Sequence, residues 1–517
     1  MKNLNLQSLI IIAVLALVTI LWGIGSVPLF DPDEPVYAET AREMIKYNDY
    51  LSPRIFDNFW YDKPPMYYWL VAASIGLFGD GEAAARFPAA LMAVATSVML
   101  YFSVSNIFSE RAGFWASIVL TTCVEFFYLG KAAVTDTTLL FFMTAALLCY
   151  QHKWYWVMYI AMALATVTKG PIGIVFPGAI IFLHLLFTGN LREILKMHVI
   201  RGLIVYFAIA APWYYLMYQA HGMEFINTFL GFHNLTRFTT PEHPDRVLWW
   251  YYLPVIILGM FPWTGLLLQS IRASISEASS EELVKMSFFN IWWVFVLLFF
   301  SISQTKLVSY ILPMFPALAI IIGWNLARLE KQRGESLLSW VIGTVIMFGL
   351  LGAGWLIGGN QLPEAFLEAS VLSGTTFVVV GLVIVWFLWR ERDVIFAGYL
   401  HAAMGFLTML IAFSFILPPV ADRFSVKTMA AEFVAGCDTS KPLYVDKFLR
   451  PGFMYYTGIA GEEMLPKTDA LQKAVSDNTP KYVVVRRLEF KRLQNPEAIQ
   501  NLRIVKEKDG IMILEKY

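Results

Sequence analysis

Three carboxylates fall within four residues in the run Asp31-Pro-Asp-Glu-Pro-Val-Tyr-Ala-Glu, directly after a long apolar stretch. Charges of one sign so close together repel, and beside hydrocarbon they need partners or a task. Two readings fit. One is a catalytic base or metal ligand facing an external cleft. The other is a set of acids at the start of a helix over Tyr37–Ile45. Asp136, in Lys131-Ala-Ala-Val-Thr-Asp, is a second acid beside an apolar run. It is either functional or part of a helix cap made by Thr135 or Asp136 itself. Five cations complete the set: Lys63, Lys131, Lys169, Lys306 and Arg237. Cations gathered on one face suit an anionic ligand such as a phosphate, whose oxygens take charge-assisted hydrogen bonds. For any single lysine the alternative is snorkelling toward lipid headgroups.

Metal ligands are sparser. His233 and His243 share one segment with Glu242 and Asp245, and Asp62 lies in another. A histidine and a carboxylate from two loops, Asp62 and His233, could hold a divalent ion (Zn, Mg or Mn). The run Val167-Thr-Lys-Gly-Pro-Ile-Gly is not a phosphate-binding P-loop, because its Lys precedes the Gly and no Gly stands five residues ahead. Three cysteines make neither a disulfide framework nor a metal spacing.

The elements that must position these residues are apolar. Of 517 residues, 58% are hydrophobic and 15% charged, and mean hydropathy is +0.58. That excludes a disordered chain, a secreted disulfide scaffold and an ordinary cytosolic enzyme. Net charge is zero, so no global field draws nucleic acid. A polytopic α-helical membrane protein remains. At about 20 apolar residues per crossing, the chain offers about thirteen spans: Leu9–Val27, 87–107, 112–130, 137–151, 154–168, 171–188, 202–218, 249–269, 288–303, 308–325, 338–357, 372–389 and 395–416. Segment 65–79 is short and aromatic and reads as an interfacial or re-entrant helix. With a cytoplasmic N-terminus, inner loops collect Arg and Lys while short outer turns hold only Lys131, Lys169 and Lys306, as the positive-inside rule requires. The expected organisation is a membrane domain over 1–421 with long outer loops at about 28–86 and 219–248, then an outer α/β domain over 422–517. In that domain Pro442-Leu-Tyr-Val-Asp and Lys481-Tyr-Val-Val-Val-Arg-Arg read as strands, and 503–515 as a hairpin around Asp509-Gly510. Helical stretches are expected at about 467–477 and 488–501.

Taken together, Asp33-Glu34 after the first span, Lys63-Pro64-Pro65, Thr135-Asp136, His233-Asn-Leu-x-Arg-Phe and Ser309-Tyr310-Ile-Leu-Pro resemble the lipid-linked glycosyltransferases of the GT-C class. The nearest branch holds aminoarabinose transferase and the protein O-mannosyltransferase-like enzymes. The resemblance implies a GT-C fold with a C-terminal periplasmic α/β domain, in the bacterial inner membrane, with the active site and C-terminus periplasmic. It implies an undecaprenyl-phosphate sugar donor, with 4-amino-4-deoxy-L-arabinose as the sugar in the aminoarabinose branch, and lipid A as acceptor, with a protein or surface glycan as the alternative. It implies Asp33 and Glu34 as catalytic acids with Asp136, contact of Lys63 and Tyr310 with the donor phosphate, and Asp62 with a loop histidine at a metal. Arg237, Lys131 and Lys306 are further phosphate candidates. A monomer is expected. In aminoarabinose transferases the first motif reads Asp-Glu-Thr-Arg-Tyr; here Val36 stands at the Arg position, and Arg237 or Lys131 would have to substitute. A transporter of lipid-linked sugars is the alternative of a different class; it would place its ionisable residues at the bilayer midplane and show repeated halves.

Overall fold

The structure is a computed structural model and describes residues 5–236, 240, 248–332, 336–465, 469–476, 479–492 and 502–517. Two compact units make up the chain. One comprises Met1–Trp22, Tyr61–Tyr67 and Phe87–Ala412, the other Gly23–Trp60, Tyr68–Arg86 and Phe413–Tyr517. The long segment after the first apolar helix thus belongs with the C-terminal chain, a division different from a boundary at 421/422.

The first unit is helical, and every stretch expected to span forms helix. Among the described residues, seven helices are long and apolar enough to cross a bilayer, or eight if one bent pair counts as a span. The remaining expected spans are shorter, such as Leu6–Leu21 with 16 residues and Tyr155–Lys169 with 15. They fall below the roughly 20 residues of a full crossing, so length alone does not establish thirteen. Two expected spans are corrected, because each is broken. Segment 112–130 divides at Cys123 into Glu110–Thr122 and Val124–Leu129. Segment 249–269 divides into Tyr252–Gly259 and Thr264–Ser276, bent by 103°. Pro262 lies in that bend, where its missing N–H and its ring prevent helical continuation. The breaks satisfy each other, since Val124 N donates to Phe261 O at 3.1 Å. Non-helical backbone at membrane depth survives where protein supplies such partners.

Packing follows the rules of a lipid solvent, in which helices associate through close approach rather than apolar burial. Phe315–Lys331 runs through the middle, with nearly all its residues buried. It lies so near Glu110–Thr122 that a Cβ on Gly323 would stand 2.3 Å from Ala116 N. Outward positions such as Ile200, Ile204 and Phe207 stay exposed, as expected of a lipid-facing stripe.

The second unit contains a hairpin of β1 (Arg54–Ile55) and β2 (Asn58–Phe59) and the strands β3 (Leu443–Asp446), β4 (Glu462–Met464), β5 (Lys481–Arg486), β6 (Leu502–Lys508) and β7 (Ile511–Lys516), the last five forming one sheet ordered β4-β3-β5-β7-β6. β3 pairs in parallel with β4 and β5; β7 pairs antiparallel with β5 and β6. The expected strands and hairpin are present. The alternation along Tyr482-Val-Val-Val485 explains the two-sided burial: Tyr482 and Val484 face a core with Phe433 and Phe453, while Val483 and Val485 face one with Leu471 and Met512. A helix forms at Ala470–Ser476. Most of the expected helix at 488–501 lies outside the described residues; Arg487–Phe490 is helical. The same unit holds the helix Asp33–Tyr47.

Candidate active site

In the first unit, three helices in series build one corner of a cavity. Asp136–Gln151 begins at the acid, Tyr155–Lys169 returns and ends at the base, and Ile172–Phe187 leaves again. The turn at Gly170 has φ +83° and ψ −156°, a conformation open to glycine and strained for other residues. Two tyrosine hydroxyls fix its approach: Tyr206 donates to Thr166 Oγ1 at 3.0 Å and Tyr214 to Thr166 O at 2.9 Å. The result is an ion pair, with Lys169 Nζ 2.8 Å from Asp136 Oδ1 and side chains only 15% and 10% exposed.

A second pair stands at the same cavity. Lys63 Nζ lies 2.9 Å from Asp62 Oδ2, again with both side chains largely buried. The preceding Tyr61 packs on His221 and Phe225, at ring separations of 5.3 and 5.8 Å, which anchors this loop to aromatic residues. Tyr310 comes from the tight turn Val308–Met314, held where Trp292 Nε1 donates to Pro313 O at 2.8 Å. Its ring lies 5.3 Å from Lys169 Nζ and 5.2 Å from the Phe300 ring.

The cavity measures about 550 Å³. One part of its lining is polar: Asp62, Lys63, Asp136, Lys169 and Tyr310, with Ser303 and Thr305. The rest is hydrocarbon and aromatic, including Leu139, Val175, Phe176, Phe229, Phe299 and Phe300. Two ammonium groups beside a greasy wall suit a phosphate attached to an apolar chain. The cations address the oxygens through charge-assisted hydrogen bonds and the wall accepts the tail.

Of the residues expected from sequence, the cavity therefore gathers Lys63, Asp136, Tyr310 and Asp62. Lys131 and Lys306 are not among its lining residues. Lys131 Nζ instead donates to Trp22 O at 2.5 Å and lies 3.1 Å from Met409 Sδ. Lys306 Nζ donates to the carbonyls of Phe300, Ser301 and Ser303 at 3.2, 2.6 and 2.7 Å. Both cations close helix ends. Arg237, Glu242, His243, Asp245 and the His233 side chain lie outside the described residues. Among the described residues no three His, Cys, Asp or Glu side chains converge as a metal set. Asp62 has the Lys63 ammonium beside it, and the His233 side chain expected to join it at a divalent ion lies outside the described residues. Lys169, one of the five cations noted in the sequence, also lines the cavity, although the family resemblance gave it no role of its own. An acid opening one span and a base ending the next must meet on one side of a helical hairpin, and that signal was present.

In the second unit the acidic run divides by environment. Asp31 is half-buried and accepts from Gly452 N at 2.8 Å and Val426 N at 3.2 Å. Burial holds its carboxyl well above the usual carboxylate range, against those two donors. Glu34 is buried and makes a two-point bond to Arg86, at 2.8 and 2.6 Å. Arg86 donates further to the carbonyls of Ile24, Val27 and Pro28. The Glu34 carboxylate, expected as a catalytic acid, is thus paired with Arg86. Asp33 is different: it is exposed in the first turn of Asp33–Tyr47.

Residues 62–216 match the family described as dolichyl-phosphate-mannose-protein mannosyltransferase. That stretch carries Asp62, Lys63, Asp136 and Lys169. The undecaprenyl phosphate-alpha-4-amino-4-deoxy-L-arabinose arabinosyl transferase of Pectobacterium atrosepticum is 29% identical over 364 residues, 67% of this chain and 64% of that protein's own length. The crystal structure of ArnT from Cupriavidus metallidurans bound to undecaprenyl phosphate shares the fold, with a TM-score of 0.81 at 24% identity over 98% of this chain and 97% of that one. The archaeal oligosaccharyltransferase AglB from Archaeoglobus fulgidus is a more distant likeness, with a TM-score of 0.56 at 11% identity over 93% of this chain and 69% of that one. The chain thus has the fold of the ArnT structure, and over residues 62–216 it is similar to the lipid-phosphate-dependent mannosyltransferase family.

Proposed function

We propose that the protein moves a sugar, 4-amino-4-deoxy-L-arabinose in the first instance, from undecaprenyl phosphate to lipid A at the periplasmic face of the inner membrane. The observation that carries this reading is the cavity in which Lys63 and Lys169 stand beside an apolar wall. The name of the Pectobacterium relative and the ligand of the Cupriavidus structure support the donor.

Breaking the bond between sugar and phosphate leaves positive charge at the anomeric carbon and adds negative charge to the departing phosphate. Ammonium groups held near the phosphate therefore act most strongly as the bond breaks. Lys63 and Lys169 take that role, and their paired carboxylates hold them in position. Tyr310 can donate its hydroxyl to the same phosphate. Asp33, which is exposed, is the catalytic carboxylate by resemblance. Its task depends on the acceptor. A hydroxyl needs a general base. A lipid A phosphate, with a second pKa of about 6, is already anionic, so there Asp33 orients the acceptor.

A second reading, transfer to a protein hydroxyl, draws on the description of the matching family and on Val36 at the place of an arginine. Mass spectrometry of lipid A and of exported proteins, with and without the gene, separates the two: the sugar disappears from one acceptor and not the other. With purified protein, Asp33→Asn is expected to abolish transfer at unchanged protein level. Lys63→Ala is expected to impair donor use far more than acceptor use. Wild-type turnover by Asp33→Asn, or equal loss for both substrates in Lys63→Ala, refutes the assigned roles.

A further inference from the structure

The helices that begin at the first cavity end at another. Asp136–Gln151 has 16 residues, so its ends stand about 24 Å apart at 1.5 Å per residue. At the far end, Tyr150, Gln151 and Lys153 line a cavity of about 470 Å³, together with Thr188 and Asn190 after Ile172–Phe187 and with Glu193. The lining here is mostly polar. Glu193 is the acid in its lining, with a side chain only 12% exposed. Tyr155 donates to it at 2.9 Å. Its two ammonium neighbours are loosely placed: Lys153 Nζ at 4.0 Å and Lys196 Nζ at 3.6 Å. Both distances exceed a hydrogen bond, and both lysine side chains are more than 70% exposed. A sheltered carboxylate thus has room for a closer cation, while two exposed ammonium groups can serve an anion a few ångströms away. Around this end the apolar side chains of Trp154, Trp156, Phe187 and Leu195 are exposed. Exposed tryptophans beside lysines mark the headgroup level of a bilayer.

We propose that this second cavity binds a phosphoethanolamine group, the zwitterionic head of an aminophospholipid, on the opposite side of the bilayer from the first. The ammonium of the ligand hydrogen-bonds to the Glu193 carboxylate. Its phosphate is met by Lys153 and Lys196, and the acyl chains lie along Phe187 and Leu195. The site lies a helix length from the sugar-transfer cavity and does not contribute to the reaction.

The test uses the full-length protein in lipid nanodiscs, with bound lipid counted by native mass spectrometry. Phosphatidylethanolamine is compared with phosphatidylglycerol of the same chains. The wild type is expected to retain the amino lipid about tenfold better, the worth of one charge-assisted hydrogen bond. Glu193→Gln, which keeps the bond from Tyr155, is expected to bring the two lipids level while sugar transfer stays at the wild-type rate. Lys153→Ala, changed at an exposed side chain that packing does not need, is expected to weaken both lipids alike. Soluble phosphoethanolamine distinguishes the source. Competition with the lipid means the group is recognised in solution as well; failure to compete, with the lipid preference intact, means it is recognised only as a membrane headgroup. Equal retention of both lipids by the wild type, an unchanged preference in Glu193→Gln, or unchanged binding in Lys153→Ala overturns the proposal.

Discussion

Replacing Lys169 by methionine removes one ammonium from the cavity and keeps the length of the side chain. The structure sets the size of the effect. Lys169 lies 2.8 Å from Asp136, and both side chains are largely buried. If the ammonium also addresses the donor phosphate, the lost charge-assisted hydrogen bond is worth about 1.5–3 kcal/mol. That corresponds to a fall of roughly 10- to 160-fold in kcat/KM for the donor. The loss has a second part. Without Lys169 the Asp136 carboxylate remains and repels the incoming phosphate. Asp136→Asn combined with Lys169→Met removes that repulsion, so the double variant is expected to bind donor better than Lys169→Met alone. The assay is transfer by purified protein at varied donor, with binding of undecaprenyl phosphate measured separately. Affinity for undecaprenyl phosphate that is unchanged in Lys169→Met would refute the phosphate role. Additive losses in the double variant would refute the coupling of the pair.

Two further predictions concern the second unit. Arg86→Met leaves the buried Glu34 carboxylate without its two-point partner and three carbonyls without a donor; breaking such a pair is expected to cost about 3–5 kcal/mol, read as earlier thermal unfolding and easier proteolysis. Burial, opposed by Arg42 and reinforced by Glu43 and Asp80, pushes the Glu39 carboxyl up to about 7. The folded carboxyl holds its proton to higher pH than the unfolded one. The associated stability, about 3 kcal/mol, is therefore present below the ordinary value of 4.5 and is lost as pH rises toward 7. Hydrogen exchange across Asp33–Tyr47 is expected to quicken over that window, and Glu39→Gln to remove the dependence.

The helices were legible because their signal is local. Runs such as those over 338–357 and 372–389 need only a count of apolar residues. The breaks were not, since a single proline in an apolar run leaves hydropathy high; only the bond between Val124 and Phe261 shows why the chain tolerates one there. Lys63 and Asp136 were legible as chemistry out of place, and Tyr310 only through the family resemblance. The pairing of Glu34 was not legible, because its partner Arg86 stands 52 residues away and nothing in the acidic run names it. Asp31 likewise depends on backbone donors from Val426 and Gly452. Sequence shows that an acid needs a partner; which partner is a matter of tertiary packing.

The balance of charge in the first cavity bears on how such a site can favour the transition state. Two ammonium groups and two carboxylates line it, so the lining carries no net formal charge before a ligand enters. A donor phosphodiester brings one negative charge and must compete with Asp62 and Asp136 for the lysines. As the sugar leaves, the phosphate gains a second negative charge and competes better. The lysine stems are long enough to turn from carboxylate to phosphate, so the shift strengthens in step with bond breaking. Interactions that grow along the reaction raise kcat, whereas those equal in both states only tighten binding. A cavity lined by unpaired lysines would hold the donor and the spent lipid phosphate firmly and release the latter slowly. Pairing each base with an acid avoids that trap, which is a physical reason for Asp62 and Asp136 to stand where they do even if neither carboxylate touches the sugar.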